Sequence, residues 1–345
     1  MEKVLLGISG GVDSSVAAIL LKQQGYEVIG CTMQLFHKED QTKIIEDAKK
    51  VCEKLNIKHY VIDYKEEFRC NVIDNFIKEY ASTRTPNPCV ECNKYLKFGV
   101  LYKKALELGC KYIATGHYAR VEYSEEYNRY VLKKAEDEKK DQTYFLYSIQ
   151  NEVIEHILFP LQNLKDKKDT RKIAEENGLE IAEKKDSQEI CFIPNDDYKE
   201  FLKQYVQTKS GNIVLKTGEI IGTHNGLINY TIGQRKGLGI AYKEPLYVVG
   251  LDSVKNEVIV GTEKELYGKE LHADNLNWLV FDNLENPLEC FAKIRYRAKE
   301  AKAIVIPEGK NKVKVEFEEA QRAITKGQSV VFYKDNILIG GGKII

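Results

Sequence analysis

The sequence predicts a doubly wound α/β domain with a parallel sheet at the N-terminus, followed by a small β-rich middle domain and a C-terminal β-barrel. Three observations indicate this fold class. The first 120 residues alternate short β-branched runs with segments of helical periodicity, which is typical of a parallel sheet covered by helices. Beyond Thr208, short alternating runs broken by Gly and Asn replace that pattern. The length of 345 residues fits two or three domains of about 150 residues each.

The elements of the first domain follow from its apolar residues. We predict buried strands at Val4–Ile8, Glu27–Met33, His59–Ile62 and Tyr112–Thr115. Apolar residues at helical spacing predict helices at 16–21, before the helix-ending Gly25, and at 44–55, 72–80 and 95–108. Strands and helices that alternate in this way predict a doubly wound sheet.

The predicted domains are 1–207, 208–270 and 271–345. The first domain includes a hairpin, Val121–Tyr123 against Tyr130–Leu132, and helical segments that reach about Tyr205. A linker near Leu266–Asp274 separates the last two domains. The predicted strands of the β-rich part are Tyr247–Leu251 and Val258–Val260 around a turn at Asn256, then Lys312–Phe317, Ser329–Tyr333 and Ile337–Gly340.

Composition and charge exclude several classes of protein. Apolar residues make up 43% and charged residues 30%, which excludes wholesale disorder. The 52 Lys and Arg balance 52 Asp and Glu, so a polyanionic partner has to be held by local basic patches. Eight cysteines are too few for a secreted disulfide framework. Because no apolar run approaches about 18 residues and Met1 leads directly into a strand, we expect a cytoplasmic protein with reduced thiols, some reactive or metal-binding.

A glycine-rich motif, Ser9-Gly10-Gly11-Val12-Asp13-Ser14-Ser15, joins the first strand to the first helix. Two adjacent glycines permit a tight turn, after which free helix amides and the positive end of the helix dipole face an anion. The lysine of a Walker loop is absent, so pyrophosphate recognition is favoured over transfer of a γ-phosphoryl group. The alternative is a glycine-rich turn in which Ser and Asp only cap the helix.

Two cysteines, Cys92 and Cys191, lie in sequence motifs that bear on their reactivity. Cys92 ends a proline-rich loop, Thr85-Pro86-Asn87-Pro88-Cys89-Val90-Glu91-Cys92, just before a predicted helix, and a helix N-terminus lowers the pKa of a thiol. Cys191 follows 99 residues later in Asp186-Ser187-Gln188-Glu189-Ile190-Cys191-Phe192-Ile193-Pro194, so only folding can bring the two together. Alternatives remain open. A CxxC pair is half of a zinc site, which no second pair completes here, and Cys191 alone is typical of a buried apolar residue.

These motifs and three others occur in the order found in tRNA-specific 2-thiouridylases, which the chain resembles over essentially its whole length. The glycine-rich motif matches SGGxDS, the PP-loop signature of enzymes that split ATP into AMP and pyrophosphate. The three other motifs are Thr115-Gly116-His117-Tyr118-Ala119-Arg120, Lys140-Asp141-Gln142-Thr143-Tyr144-Phe145-Leu146 and Gly233-Gln234-Arg235-Lys236-Gly237-Leu238.

The resemblance implies a PP-loop fold, similar to adenine nucleotide alpha hydrolases, and a tRNA uridine 2-sulfurtransferase that uses ATP and Mg²⁺. Such an enzyme adenylates O2 of the wobble uridine in a tRNA anticodon stem-loop and replaces that oxygen by sulfur, giving 2-thiouridine. Met33, just past the second strand, and Gly116, after the fourth, are expected beside the nucleotide. The expected ATP-binding residues are Gly7, Ile8, Ser9, Gly10, Gly11, Val12, Asp13, Ser14, Met33 and Gly116.

The resemblance assigns the sulfur chemistry to the two thiols. Cys191 would carry a persulfide and Cys92 would be its partner, leaving a Cys92–Cys191 disulfide that a reductant resets. A cysteine desulfurase or a sulfur-relay protein would supply the sulfur. Many relatives have Asp at the position of Cys89, whose role is therefore open. Alternatively, Cys89, Cys92 and Cys191 would be three ligands of a [4Fe–4S] cluster. We rank the persulfide pair first and expect no other metal site.

The resemblance also implies residues that contact RNA. The target uridine has to leave its base stack, because a stacked O2 cannot reach both a phosphate and a persulfide. The turn at Asn87–Cys89 is placed to receive that base. The expected base- and tRNA-binding residues are Asn87, Pro88, Cys89, His117, Lys140, Asp141, Gln142, Arg295, Tyr296 and Gln328. Taken alone, His117 is equally typical of a structural histidine, Lys140–Gln142 of a solvated loop, and 293–299 of an exposed barrel strand.

Two other functions explain parts of the sequence. Another PP-loop ATPase, such as a lysidine synthetase or an amidating synthetase, shares the nucleotide loop but has no need for the two thiols. A non-catalytic RNA-binding or zinc-stabilised module fits the β-rich half but leaves the motif at 9–15 unexplained. Variants that lack Cys92 or Cys191 separate the other ATPases from sulfur transfer, and tight ATP binding without release of pyrophosphate would favour the non-catalytic module.

Overall fold

The structure is a computed structural model that describes residues 1–36, 39–179, 190–309 and 311–345. Its strands are β1 (Lys3–Gly7), β2 (Glu27–Gln34), β3 (Lys58–Asp63), β4 (Tyr112–Ala114), β5 (Arg120–Ser124), β6 (Arg129–Lys133), β7 (Ile157–Leu158), β8 (Gly211–Leu215), β9 (Ile220–His224), β10 (Tyr247–Asp252), β11 (Glu257–Gly261), β12 (Tyr267–Trp278), β13 (Leu288–Lys293), β14 (Ala301–Pro307), β15 (Lys312–Arg322), β16 (Ser329–Lys334) and β17 (Ile337–Ile344).

The helices of the described residues are Val12–Gln23, Glu39–Lys54, Lys65–Phe68, Arg69–Ile73, Asp74–Ala81, Pro88–Glu91, Cys92–Val100, Leu101–Glu107, Asn151–Ile154, Lys167–Glu176 and Tyr198–Lys203. Of these, Arg69–Ile73 and Cys92–Val100 are π-helical, and the adjoining segments continue without a break as helices 65–81 and 88–107. Short 3₁₀ turns are Thr143–Phe145, Pro194–Asp196, Leu227–Asn229 and Glu263–Leu266. None of the helices described has both the length and the apolar character needed to cross a membrane.

A five-stranded parallel sheet in the order β3-β2-β1-β4-β7 forms the N-terminal domain. Its central strand β1 is covered on both faces. Leu5 packs with Leu101 of helix 88–107 on one face, while Val4 and Leu6 pack against the helix Val12–Gln23 on the other. The predicted doubly wound α/β domain is therefore confirmed. Because β2, β1 and β4 are parallel neighbours, their carboxyl ends meet at one edge of the sheet.

The β-rich second half is also confirmed. The middle sheet has the order β10-β11-β8-β9, and the predicted turn at Asn256 has a φ of +56°. The C-terminal barrel has six strands in the order β12-β15-β14-β13-β16-β17, and pairing of β12 with β17 closes it. The hairpin β5–β6 extends the barrel sheet, because Lys133 of β6 pairs with Ile337 of β17. Trp278 is buried in the barrel core, where its ring stacks on Phe332 with centroids 5.5 Å apart.

The linker predicted near Leu266–Asp274 is wrong for nearly all of its length. From Tyr267 onward this segment belongs to β12, a strand of 12 residues that pairs with both β15 and β17. Leu271 and Ala273 are buried in the barrel core, and His272 between them is not. The charged side chains at the outward positions obscured this alternation in the sequence.

Candidate active site

The glycine-rich turn between β1 and the first helix is tightly packed. Gly10 has a φ of +65°, and a Cβ atom at this position would lie 2.6 Å from Ala48 N, so only glycine fits. Gly11 precedes the helix Val12–Gln23 in an extended conformation, so the first amides of that helix have no partner within the helix. These amides and the helix dipole favour an anion at this point. The geometry is that of an anion-binding loop.

Side chains of the loop hold its backbone. Ser14 Oγ accepts a hydrogen bond from Ser9 N at 3.2 Å and donates one to Gly11 O at 3.1 Å. Ile8 and Val12 are buried in the core between sheet and helix. The Ser14 hydroxyl therefore shapes the turn. Ile8 and Val12, also candidates for ATP binding, can offer a ligand only their backbone groups.

Asp13, the charged residue of the loop, is held by residues far away in the sequence. Lys167 Nζ lies 2.5 Å from Asp13 Oδ1, although 154 residues separate the two. The Tyr118 hydroxyl donates to the same oxygen at 3.0 Å and lies 2.8 Å from Thr170 Oγ1. Sequence reasoning missed Lys167, because the only local signal there is the capping aspartate at 166 that begins its helix.

The remaining ATP-binding candidates gather at the same edge of the sheet. Met33, near the carboxyl end of β2, is partly buried, and its carbonyl accepts a hydrogen bond from Gln41 Nε2 at 3.2 Å. Gly116 follows β4, and a Cβ atom there would lie 2.8 Å from Ser14 N. Gly116 is therefore needed where the loop after β4 passes close to the start of the first helix. Contacts of these residues with a nucleotide stay predictions.

Helix 88–107, which we call the cysteine helix, carries two of the three candidate thiols. It begins at a cap in which Asn87 Oδ1 accepts a hydrogen bond from Cys89 N at 3.2 Å. The turns of Cys92–Val100 are π-helical, and the amide after this segment donates to the carbonyl five residues earlier, Leu96 O. Segments of π-helix are rare and occur frequently at functional sites.

Folding brings Cys191 to the cysteine helix across the 99 residues that separate it from Cys92. Phe192 packs its ring against Phe68 and Phe76 of helix 65–81, with centroids 5.7 Å and 5.4 Å apart. Cys92 packs against the same aromatic core. The two thiols are close enough that Cys92 contributes to the raised pKa of Cys191. The residues at 186–189 of the Cys191 motif lie outside the described residues.

The expected lowering of the Cys92 pKa is wrong. Burial raises it to about 11, and the attraction of Lys97 only partly offsets this. Asn87 caps the cysteine helix, so Cys92 lies in its second turn, whereas the helix dipole acts mainly within the first turn. Burial also raises the pKa of Cys191 to about 12, although its side chain reaches the surface. The pKa of Cys89 is raised for the same reason.

The three thiols do not form a ready set of metal ligands. Electrostatic interactions connect Cys191 with both Cys89 and Cys92, which places them in one region. Within the described ranges, however, no three His, Cys, Asp or Glu side chains converge closely enough to hold a metal ion. The side chains in this conformation therefore do not fit the cluster that we considered as an alternative, and no reaction step is derived through one.

Lys97 and His117 form a polar pair beside the thiols. His117 is buried, with Nδ1 2.7 Å from Thr115 Oγ1 and Nε2 3.4 Å from Lys97 Nζ. Since an ammonium can only donate, Nε2 accepts and Nδ1–H donates to Thr115. Burial, with a smaller effect of Lys97, holds the pKa of His117 well below its usual value. Sequence reasoning missed Lys97, because its significance depends on His117 and Cys191, which lie elsewhere in the chain.

The turn at Lys140–Gln142 is an ordered part of the fold. Asp141 is buried and accepts hydrogen bonds from Ala135 N at 3.0 Å and from Thr143 Oγ1 at 2.6 Å. Burial raises the pKa of its carboxyl group, and these hydrogen bonds partly offset the rise. Gln142 Oε1 accepts from Tyr118 N at 2.9 Å. A solvated loop is therefore the wrong description, while contact with tRNA stays a prediction.

The candidate RNA-binding residues of the barrel join domains together. Gln328 Nε2 donates to Thr85 O at 2.9 Å and to Pro86 O at 3.2 Å, in the loop before the cysteine helix. Arg295 donates to Ala323 O at 2.5 Å. The Tyr296 ring packs against Phe145, with centroids 4.5 Å apart. Other partners of Arg295 Nη2 are Thr325 Oγ1 at 2.5 Å and Ile232 O of the middle domain at 3.5 Å. Contacts of tRNA with Gln328, Arg295 and Tyr296 stay predictions.

Three family models together match most of the chain. The first, described as a tRNA methyl transferase HUP domain, matches residues 2–195. The second, a tRNA methyl transferase PRC-barrel domain, matches 199–262, and the third, an aminomethyltransferase beta-barrel domain, matches 268–344. These matches agree with the parallel sheet, the middle β domain and the terminal barrel of the structure.

Curated relatives match the whole chain. The tRNA-specific 2-thiouridylase MnmA 2 of Clostridium tetani (strain Massachusetts / E88) is 51% identical over 357 residues, covering 99% of this chain and 98% of that protein. The chain belongs to the tRNA-specific 2-thiouridylase family. A relative of the same name from Clostridium botulinum (strain Okra / Type B1) is 50% identical, with 99% of both chains covered. Another 2-thiouridylase, from Clostridium kluyveri, is 49% identical, again with 99% of both covered.

Two solved structures are similar to part of this member of the 2-thiouridylase family. The U34-tRNA thiolase NcsA from Methanococcus maripaludis with its [4Fe-4S] cluster has 19% identity and a TM-score of 0.38, covering 59% of this chain and 65% of that chain. A 4-thiouridine synthetase in complex with RNA and ATP has 20% identity and a TM-score of 0.36, covering 59% of this chain and 50% of that chain.

Proposed function

We propose that this chain is an ATP-dependent tRNA sulfurtransferase that replaces O2 of the wobble uridine by sulfur and gives 2-thiouridine. The observation that carries the proposal is the proximity of Cys191 to Cys92, because Phe192, next to Cys191, and Cys92 pack on one core at the edge of the sheet that bears the glycine-rich loop. Met33, at that edge, packs against the same core. Relatives that are about half identical over the full chain bear the name of this activity.

The first proposed step activates the uridine oxygen, which is a poor leaving group. O2 attacks the α-phosphorus of ATP, the bond to the bridging oxygen breaks, pyrophosphate leaves with its electron pair, and the uridine loses its N3 proton. The loop amides that follow Gly11 bind phosphate oxygens, and Asp13 stays held by Lys167. Mg²⁺, which we expect to enter with ATP, neutralises phosphate charge.

The second proposed step transfers sulfur. A persulfide on Cys191 attacks C2, and the C2–O bond breaks as AMP leaves. The Cys92 thiolate then attacks Cys191 Sγ, so the bond to the transferred sulfur breaks and a Cys92–Cys191 disulfide forms. The product gains a proton at N3, and a dithiol reductant reopens the disulfide. We expect the sulfur to come from a cysteine desulfurase or a sulfur-relay protein in the cytoplasm.

The target base is proposed to enter near the cap of the cysteine helix. The base has to be flipped out of the anticodon loop to reach a pocket. Asn87 caps the helix, Pro88 and Cys89 lie in its first turn, and Cys89 is exposed there. The tRNA is expected to contact the other candidate residues, which are His117, Lys140, Asp141, Gln142, Arg295, Tyr296 and Gln328.

Replacing either thiol tests sulfur transfer. Cys92→Ser and Cys191→Ser are each expected to abolish 2-thiouridine, because a hydroxyl can neither carry sulfane sulfur nor close the disulfide. The measurement is mass spectrometry of nucleosides from tRNA incubated with protein, ATP and a sulfur source. Cys70→Ser is the matched control, since Cys70 is an exposed thiol on helix 65–81. Formation of product by both active-site variants would mean that these thiols do not transfer the sulfur.

Iron analysis separates the persulfide reaction from the cluster alternative. Protein purified under anaerobic conditions is assayed for iron and acid-labile sulfide and then for thiolation. We expect iron-free protein to form 2-thiouridine. Activity that appears only in proportion to bound iron would overturn the persulfide version of the proposal.

A further inference from the structure

Lys97, in the π-helical part of the cysteine helix, carries an ammonium group in unusual surroundings. Its side chain is only partly exposed, and Lys97 Nζ lies 3.4 Å from His117 Nε2, its hydrogen-bonding contact among the described residues. Of the carboxylates that the structure describes, none lies within the 4.0 Å of an ion pair with Lys97 Nζ. Removing an ammonium from water without an anionic partner costs free energy. The positive charge of Lys97 is therefore not neutralised by any carboxylate among the described residues.

His117 orients this ammonium. The ring is fixed from its other side by the hydrogen bond to Thr115 Oγ1 at 2.7 Å, so Nε2 is left as an acceptor that faces Lys97. Because the pKa of His117 is held well below its usual value, the ring stays neutral at physiological pH. The neutral ring therefore holds the Lys97 ammonium in place without repelling it and without neutralising its positive charge.

The direction that Lys97 faces is set by the cysteine helix. Lys97 follows Cys92 by five residues, which is the hydrogen-bond repeat of a π-helix, so the two lie on neighbouring turns of one face. Its charge acts on all three thiols of the site, Cys89, Cys92 and Cys191. One partly buried cation is therefore shared by every sulfur atom of the proposed reaction centre.

We propose that Lys97 is the cation that stabilises anionic sulfur during the transfer step. The inference rests on the proposed function and adds a residue to it. In the step concerned, Cys92 loses its proton to water and attacks Cys191 Sγ, the electron pair of the broken bond passes to the sulfur on C2, and N3 of the product then takes up a proton from water. A negative charge is carried by sulfur before and after this attack. A fixed ammonium beside the thiols stabilises that charge, because a cation held in place has little reorganisation to undergo when the charge forms.

Two other lysines show what a structural or surface lysine looks like in this protein. Lys343, similarly shielded from solvent, lies between two carboxylates, 3.7 Å from Glu79 Oε1 and 3.5 Å from Glu91 Oε1. Lys94, three residues before Lys97 on the same helix, places its ammonium over the ring of Tyr95, 5.0 Å from the centroid. Among the residues that the structure describes, Lys97 has neither kind of partner, which is the reason to assign it to an anion formed in the reaction.

Charge-selective alkylation tests this assignment without tRNA. Reduced protein is treated separately with iodoacetate, which is anionic, and iodoacetamide, which is neutral, and the modification of Cys92 is followed by peptide mass spectrometry. We expect Lys97→Met to lower the ratio of the iodoacetate rate to the iodoacetamide rate about tenfold, because a nearby cation attracts the anionic reagent. Lys97→Arg restores the ratio, and Lys94→Met, the matched control, leaves it unchanged.

The second arm of the test measures single-turnover formation of 2-thiouridine. Lys97→Met is expected to slow it by about tenfold or more, with Lys97→Arg recovering most of the rate. An unchanged alkylation ratio in folded Lys97→Met would overturn the assignment. If Lys97→Met changes the alkylation ratio as expected but the wild-type protein makes no 2-thiouridine, the result contradicts the proposed function instead. Lys97→Gln, with circular dichroism as a check on folding, replaces Lys97→Met if that variant does not fold.

Discussion

Cys92 and Cys191 are weakly acidic thiols in the free protein. Burial raises their pKa values to about 11 and about 12, and nearby thiols add to the rise, Cys89 at Cys92 and both Cys92 and Cys89 at Cys191. Lys97 opposes these effects but does not overcome them. Since an unionised thiol is a poor nucleophile, a pair of this kind resists stray alkylation and oxidation until sulfur arrives.

The raised pKa values predict a particular pH dependence of alkylation. Because the folded-state pKa of each thiol lies above that of a free cysteine, the thiolate fraction is small at pH 7 and grows as the pH rises. Iodoacetamide should therefore modify Cys92 and Cys191 about tenfold faster for each pH unit between 7 and 9, without a plateau. Rates are measured by peptide mass spectrometry, with unfolded protein as the reference. A plateau below pH 8 would show that the helix, rather than burial, controls these thiols.

The sequence was sufficient to find the reactive residue types but not their environments. Gly10 and Cys92 stand in motifs whose spacing is local, and their places in the fold could be predicted. The acidity of Cys92 depends on aromatic residues of helix 65–81 packed against it, which no local pattern shows. Lys97 and Lys167 were missed for the same reason. The significance of each lysine depends on a partner distant in the chain, which is His117 for Lys97 and Asp13 for Lys167.

At the scale of elements, the close approach of the loop after β4 to the first helix shapes the proposed nucleotide site. A Cβ atom on Gly116 would lie 2.8 Å from Ser14 N and 2.9 Å from the Asp13 carbonyl carbon. Both are backbone atoms of the first helical turn, so neither can move aside as a flexible side chain would. The position of the helix start, and hence of its free amides, depends on the absence of a side chain at residue 116.

Replacing Gly116 tests this packing. Gly116→Ala is expected to displace the first helical turn and weaken ATP binding by about tenfold or more, because small shifts of binding groups have large effects. The dissociation constant is measured by isothermal titration calorimetry. Gly222→Ala is the matched control, since a Cβ atom in that part of β9 would meet its nearest neighbour at 3.4 Å. Wild-type affinity in Gly116→Ala would mean that this loop does not set the nucleotide site.

The elements that the sequence predicted well are those with a simple period. The buried strands of the parallel sheet were found because their residues are continuously apolar. The cysteine helix was predicted from Tyr95 but begins at Pro88, because proline suits the first position of a helix and Asn87 caps it. The strand β12 was mistaken for a linker, since its outward residues are charged and its partners β15 and β17 lie farther along the chain.

At the scale of the whole molecule, the C-terminal barrel holds the loop that leads to the thiols. The Thr85 amide donates to Lys326 O at 2.9 Å, beside the hydrogen bonds from Gln328. Lys343, at the end of the barrel, bridges Glu79 of helix 65–81 and Glu91 of the cysteine helix. The proposed sulfur-transfer site is therefore assembled from parts that are separated by most of the chain. This assembly could not be read from the motifs, which give the order of the parts but not their contacts.

The fate of the uridine oxygen tests the central proposal most directly. A tRNA carrying oxygen-18 at O2 of the wobble uridine is incubated with the protein, ATP and a sulfur source, and AMP is analysed by mass spectrometry. If O2 attacks the α-phosphorus and then leaves with the phosphate, AMP carries one oxygen-18 for each 2-thiouridine formed. Formation of 2-thiouridine with unlabelled AMP, or without any consumption of ATP, would contradict the account.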